Sequence, residues 1–311
     1  MESGAAGRRS ADIVGGNIVV NLLGDGPVRL RANLHGHTTG SDGRLAPQAY
    51  VDWYAERGYD AVAITDHNVL TDSSTLDARG MALIPGAEVT ASGTEFGGQY
   101  HLVALGPLPH PLPAVTTAGP ESARLLTAAG AVVIIAHPHW SGLTGADVLA
   151  VDAAAGVEVW NGGTVLDSEK GVALAVWDEV LRRDRRGFGF ATDDAHFRFP
   201  DGGLGWVVLH AAERSVDAAL KALRQGWFYC SAGPELTVAK VDGRSVTVAC
   251  SPCAAVYCLG FAGRNQYRLG DGVTPLEGAE FTLRGDEPWV RIQVTDLKGR
   301  SAWTQPYWAP A

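Results

Sequence analysis

Between Val28 and about residue 234, short apolar runs alternate with amphipathic stretches. The apolar runs cover residues 61–64, 81–84, 102–105, 131–136, 157–159 and 188–190, and strands covered on both faces give that pattern. Helical signals fall between them. Residues 46–57 carry Pro47 near the start, Gly58 just past the end, and Ala49, Tyr50, Trp53 and Tyr54 at helical spacing. Pro120 opens a second helix and Gly130 closes it. The spacing predicts a third over 167–186, whose last turn would hold Arg182, Arg183, Arg185 and Arg186. Ser215 caps a fourth that Gly226 ends. The alternation reads as an α/β chain built as a (β/α) barrel. The barrel is distorted, because no helix fits between Glu88 and His101.

After Pro234 the period changes to two. Val290, Ile292 and Val294 share one face and Arg291, Gln293 and Thr295 the other, and residues 297–300 supply a hairpin turn. The expected organisation is therefore a tail with an edge segment over 1–27, a barrel over 28–234, and a small C-terminal antiparallel β-domain over 235–311.

Composition narrows the class. A net charge of −9 leaves no basic footprint for non-specific nucleic-acid binding. The first sixteen residues lack an apolar h-region, and no apolar run reaches 18 residues, so neither a secretory signal nor a membrane span is expected. The four cysteines, Cys230, Cys250, Cys253 and Cys258, fit a reduced, cytoplasmic protein. Cys250-Ser-Pro-Cys253 lacks the further ligands that a closed zinc site needs.

The histidines carry the chemistry. Of nine, His35, His37, His67, His101, His137, His139 and His196 lie at or beside the ends of expected strands. In a parallel barrel the C-terminal strand ends converge on one mouth. His35 and His37 alternate along an extended segment, so they point the same way. His-x-His alone is better explained as a structural or surface pair, but Asp42, Glu88 and Asp194 fall at the same mouth. Gathering these carboxylates costs on the order of several kcal/mol of desolvation each, with mutual repulsion added. Neutral imidazoles cannot offset that, whereas two or three divalent cations can. His101 breaks the pattern: it begins its apolar run, so it enters from a loop or from a strand running the other way.

Together, His35-Gly-His37, Ser41-Asp42-Gly43, Thr65-Asp66-His67, Gly86-Ala-Glu88, His101, Ala136-His137-Pro138 and Asp194-Ala-His196 resemble the PHP (polymerase and histidinol phosphatase) metallohydrolases. The C-terminal segments 228–234 and 296–308 look like the family's carbaryl-hydrolase-like, or PHP phosphoesterase, branch. The resemblance implies a distorted (β/α)7 barrel with a trinuclear site. His35, His37, Glu88 and Asp194 would hold the first metal, Glu88 would bridge to a second held with His101 and His137, and Asp42, His67 and His196 would hold a third. Zinc, manganese and iron all occur in the family.

Such a cluster lowers the pKa of bound water from 15.7 to roughly 7. The expected activity is hydrolysis of a small phosphomonoester or nucleotide by attack of a metal-bridging hydroxide. The alternative is a carbamate, ester or amide hydrolase using the same site, with Trp140, Trp160 and Phe197 lining an aryl pocket. A non-catalytic, metal-stabilised module is the third reading. Arg44, Lys170 and Arg198 are candidate phosphate contacts, and His139 is a candidate general acid. Asp66 is expected to orient a ligand histidine from behind, and Asp193, next to Asp194, is a second such candidate. The reading requires no membrane and leaves room for a homo-oligomer.

Overall fold

The computed structural model describes residues 11–14, 17–183 and 187–309. Two short strands, β1 (Ala11–Val14) and β2 (Asn17–Asn21), open it as an antiparallel pair. The chain divides into two compact units. One holds residues 30–207 and 213–221, and the other holds residues 222–311 with the stretches up to 29 and 208–212.

In the first unit, β3 (Val28–Asn33) leads through α1 (Pro47–Ala55) to β4 (Ala61–Ile64), which pairs with it in parallel. Pro47 starts α1 where its missing N–H costs nothing. Tyr50, Val51 and Tyr54 of α1 bury against Tyr59, Val62, Ile64 and Met81. β4 then pairs in parallel with β5 (Ala82–Ala91). A long hairpin returns β5 as the antiparallel β6 (Tyr100–Leu105), so His101 does arrive on a strand of reversed direction. After α2 (Gly119–Ala128), β7 (Val132–Ile135) is antiparallel to β6. α3 (Gly145–Ala150) opens on a reciprocal cap between Thr144 and Asp147. β8 (Gly156–Asn161) pairs in parallel with β7 and with β9 (Phe188–Thr192).

The expected helix over 167–186 is two helices, α4 (Gly162–Ser168) and α5 (Leu174–Arg182). Glu169, with φ of 59°, ends α4 in the left-handed conformation, and Val172 then bridges back to Trp160. Arg185 and Arg186 lie outside the described residues.

The pairing returns to its start. Beyond the end of β3, Gly36 bridges Ala195 just past β9, with His37 N–H donating to Ala195 O at 2.9 Å and Asp194 N–H to His35 O at 3.0 Å. Seven strands are thus linked in a cycle, and the closing bonds belong to the segments that carry His35, His37 and Asp194.

The remaining elements are β10 (Trp206–Ala211), α6 (Val216–Gln225), β11 (Phe228–Ser231), β12 (Leu236–Asp242), β13 (Ser245–Gly260), β14 (Gln266–Leu269), β15 (Leu276–Thr282), β16 (Trp289–Asp296), β17 (Ser301–Thr304) and β18 (Tyr307–Trp308). Within the second unit the long β13 pairs antiparallel with β12, β14, β15 and β16, and β2 adds alongside β12. Val290, Ile292 and Val294 are buried as the alternation requires, but Arg291 on the opposite face is buried too. All four cysteines are buried free thiols. Cys250 and Cys253 have their sulfurs 3.6 Å apart, and among the described residues they join no group of potential metal ligands. No helix among the described residues is long and apolar enough to cross a membrane.

Candidate metal centre

The centre is assembled from the ends of the cycle's strands. His35 and His37 follow β3, His67 follows β4, Glu88 lies in β5 and His101 on β6. His137 follows β7, and Asp194 and His196 follow β9. A side chain at position 36 would put its Cβ 2.3 Å from the Tyr50 hydroxyl, so only glycine lets the His-x-His segment lie against α1. His137 (φ 25°) and Asp194 (φ 53°) adopt left-handed backbone conformations that cost about 1–3 kcal/mol each. Both strained residues present side chains to the centre.

Glu88 is the hub. Its Oε1 lies 2.9 Å from His101 Nδ1 and 3.1 Å from His137 Nε2. Its Oε2 lies 2.9 Å from His67 Nδ1 and 3.3 Å from the Nε2 atoms of both His35 and His37. Yet this buried oxygen meets hydrogen-bonding geometry with none of the three. Asp194 Oδ1 stands 3.0 Å from His37 Nε2 and 3.3 Å from His35 Nε2. Asp42 brings Oδ1 to 3.4 Å from His196 Nε2 and 3.6 Å from His67 Nε2. His37 Nδ1, also buried and without a hydrogen bond, faces that same oxygen at 3.9 Å.

Four overlapping donor sets result: His37, Asp42, His67 and His196; His35, Glu88 and His137; His35, His37 and Asp194; and His67, Glu88 and His101. Mixed imidazole and carboxylate donors suit zinc, manganese or iron. Lone pairs that converge without hydrogen-bond partners are what a divalent cation would satisfy, so the residues fit such ions.

Electrostatics agree. Burial opposes charge on His35, but the carboxylates of Asp194, Glu158 and Glu88 outweigh it and hold its pKa well above the usual value. His67 and His137 are also raised, mainly by Glu88 working against their burial. Burial wins at His37, whose pKa is lowered. Glu88 and Asp194 stay ionised although buried, because the surrounding imidazoles, His35 first, favour their charge.

A layer of carboxylates behind the ligands fixes them. Glu158, fully buried on β8, takes His35 Nδ1–H at 2.8 Å, the His137 backbone N–H at 2.8 Å, Asn161 Nδ2 at 2.8 Å and Thr192 Oγ1 at 2.7 Å. Asn161 donates onward to Asp194 Oδ2 at 3.1 Å. Asp201 accepts the backbone N–H groups of His196 and Phe197.

No protein-family model matches the sequence, and no curated protein matches it. Solved structures do. One is PHP-like. It is a two-domain protein from Bacteroides vulgatus containing a predicted PHP-like metal-dependent phosphoesterase, 15% identical, with 99% of each chain covered and a TM-score of 0.49. A second, assigned as a metal-dependent phosphoesterase from Bifidobacterium adolescentis, is 18% identical over 57% of this chain and 92% of its own, with a TM-score of 0.44. A third, an amidohydrolase from Chromobacterium violaceum with bound sulfate, is 17% identical over 53% of this chain and 87% of its own, at a TM-score of 0.43.

The nine ligand candidates drawn from the sequence, His35, His37, Asp42, His67, Glu88, His101, His137, Asp194 and His196, are all brought together. The other candidates are not all at the site. Of the basic residues, Arg198 lines the cavity beside the cluster, while Arg44 and Lys170 are exposed and do not. His139 is exposed and outside the cavity lining. Asp66 bonds no histidine. It accepts Thr38 N–H at 2.8 Å and the hydroxyls of Thr38, Ser41 and Thr71, and so ties down the loop that carries Asp42.

Asp193 is structural, receiving the Tyr54 hydroxyl and the backbone N–H groups of Gly203, Leu204 and Gly205, while burial pushes its pKa up to about 6. Trp160 gives its indole N–H to Leu204 O, and Phe197 packs among Tyr50, Trp53 and Tyr54, so of the three expected pocket aromatics only Trp140 lines the cavity. Glu158, Asn161, Thr164, Asp167, Phe199 and Asp201 are site residues that sequence reasoning missed. The signal for Glu158 was a lone carboxylate between Val157 and Val159 in a run otherwise apolar.

Proposed function

We propose that this chain is a PHP-type metallohydrolase that releases phosphate from a small phosphomonoester or nucleotide. One observation carries the reading. Glu88, a fully buried carboxylate, is ringed by five imidazoles, and its Oε2 has no hydrogen bond of its own. A fold that needed only burial would not collect that donor set at the mouth of its strands.

His35, His37, Glu88 and Asp194 would hold one cation, Glu88 would be shared with a second held by His101 and His137, and Asp42, His67 and His196 would hold a third. When bound, such ions supply Lewis acidity, lowering the pKa of a coordinated water and offsetting charge on a phosphoryl oxygen. The chain's own residues do the rest. Glu158 sets the ring orientation of His35, and Asp66 sets the loop of Asp42. Arg198, already 2.9 Å from Asp42 Oδ2, places a guanidinium at the cavity where a phosphoryl group would need a counter-charge. The cavity is about 220 Å³, which suits a small ester rather than a polymer.

The test is a turnover screen of the zinc- or manganese-loaded protein against p-nitrophenyl phosphate, nucleoside monophosphates and aryl carbamates. Phosphate release that chelation abolishes, and that Glu88→Gln lowers by roughly a thousandfold, is the expected result. Turnover of the carbamates alone would overturn the phosphatase reading.

A further inference from the structure

Beyond the ligand candidates the cavity is lined by Trp140, Thr164, Asp167, Arg198 and Phe199. Trp140 follows the β7 ligand segment, and its ring packs edge-on against His137 at 5.0 Å between centroids and tilted against His101 at 5.9 Å. Even so, 44% of its surface is open, and Phe199 is 40% open on the same cavity. The neighbouring aromatics are spoken for: Trp160 is hydrogen-bonded, and Phe197 is packed under α1. Two large apolar side chains left open beside a charged centre mark a contact surface for a flat apolar group.

Charged groups line the same cavity. Four carboxylates line the cavity, those of Asp42, Glu88, Asp167 and Asp194, against one guanidinium, that of Arg198. Three of the four belong to the donor sets, and Arg198 is paired with Asp42. Asp167 belongs to no set and has no ion pair or hydrogen bond among the described residues. It sits on α4 one turn after Thr164, which lines the cavity beside it. Asp167 is thus the lining carboxylate that neither the donor sets nor Arg198 engages.

Resting on the phosphoesterase reading, we infer that the leaving group is a planar aromatic ring bearing an ammonium or comparable cationic donor. Trp140 and Phe199 hold the ring, and Asp167 receives the cation. A free carboxylate in a cavity that also holds a guanidinium favours an ester whose two ends carry opposite charge over one whose leaving group is itself anionic. Trp140 adds its π face to the attraction for a ring-borne cation.

The test compares kcat/KM of the metal-loaded full chain on phenyl phosphate, 4-(aminomethyl)phenyl phosphate and 2-aminoethyl phosphate. The aminomethyl aryl ester should be preferred over both. Trp140→Ala should cut the aryl-to-alkyl ratio by roughly tenfold, with Trp140→Phe retaining most of it. Asp167→Asn should cut the ratio of ammonium-bearing to neutral aryl ester by roughly tenfold. If all three esters turn over equally and neither variant changes a ratio, the inference fails while the phosphoesterase reading stands. If no phosphate ester turns over in the loaded enzyme, the phosphoesterase reading fails, and this inference with it.

Discussion

The Nδ1 of His35 lies 2.8 Å from Oε1 of Glu158, and the other oxygen of that carboxylate holds the backbone N–H of His137 at 2.8 Å. An ionised carboxylate only accepts, so Nδ1 of His35 carries the hydrogen, and Nε2 is the atom turned toward Glu88 and Asp194. One side chain on β8 thereby sets ligands delivered by β3 and β7.

Replacing that carboxylate should loosen the metal without unfolding the chain. Glu158→Gln is expected to lower zinc affinity by roughly 10–100-fold, read by competition with a chelator, while the far-ultraviolet circular dichroism stays that of the wild type. Unchanged affinity would show that His35 needs no such partner.

Asp66 tests the loop that carries Asp42. Asp66→Ala leaves the donors of Thr38, Ser41 and Thr71 without their acceptor. It should cost roughly 1–3 kcal/mol of stability by denaturant titration. Metal content by mass spectrometry should also fall, since Asp42 shares its donor set with His37, His67 and His196. Full metal content in the variant would sever Asp66 from the centre.

Metal binding should release protons. The pKa values of His35, His67 and His137 are raised in the metal-free protein, so near neutrality protons occupy sites that cations need. Falling pH adds protons, and affinity must fall with it, by roughly tenfold per pH unit for each proton displaced. Calorimetry of zinc binding in two buffers of different ionisation enthalpy will report this release. Identical heats in both buffers would contradict it.

His210, in the other compact unit, gives a second pH effect. It is buried, its Nε2 has no hydrogen bond, and burial, helped by the charge of Arg29, brings its pKa down to about 4. The unfolded chain, with an ordinary value of 6.5, binds the proton first as pH falls. Its contribution is therefore complete above pH 6.5, is lost as pH falls toward 4, and amounts to at most about 3 kcal/mol. Urea midpoints of wild type and His210→Gln should accordingly converge as pH drops across that window. Parallel curves would rule the group out.

Most of the ligand candidates were legible in the sequence because they are polar residues at or just past the edge of an apolar run. Asp42, on the polar loop after β3, was legible from its nearness to the His35-Gly-His37 segment. His101 was legible as an exception, and the antiparallel β6 is its cause. Less visible was whatever depends on how loops fold back. Thr71 reaches Asp66 across a turn, and the break at Glu169 depends on a left-handed residue inside a stretch with good helical spacing. Glu158 was hidden by the apolar run around it. Phe197 and Phe199, two residues apart, look alike in sequence. Only the turn at Phe197, with φ of 57°, sends one into the core and leaves the other at the cavity.

The closing bonds between Gly36–His37 and Asp194–Ala195 also impose an order on biosynthesis. His35 and His37 leave the ribosome long before the segment that completes their hydrogen bonds exists. A nascent chain stalled short of Asp193 can offer cations only a partial set of donors, so tight uptake should begin only after the last strand of the cycle has emerged. Stalled chains of graded length, probed for retained zinc, would show a step at that point rather than a gradual rise.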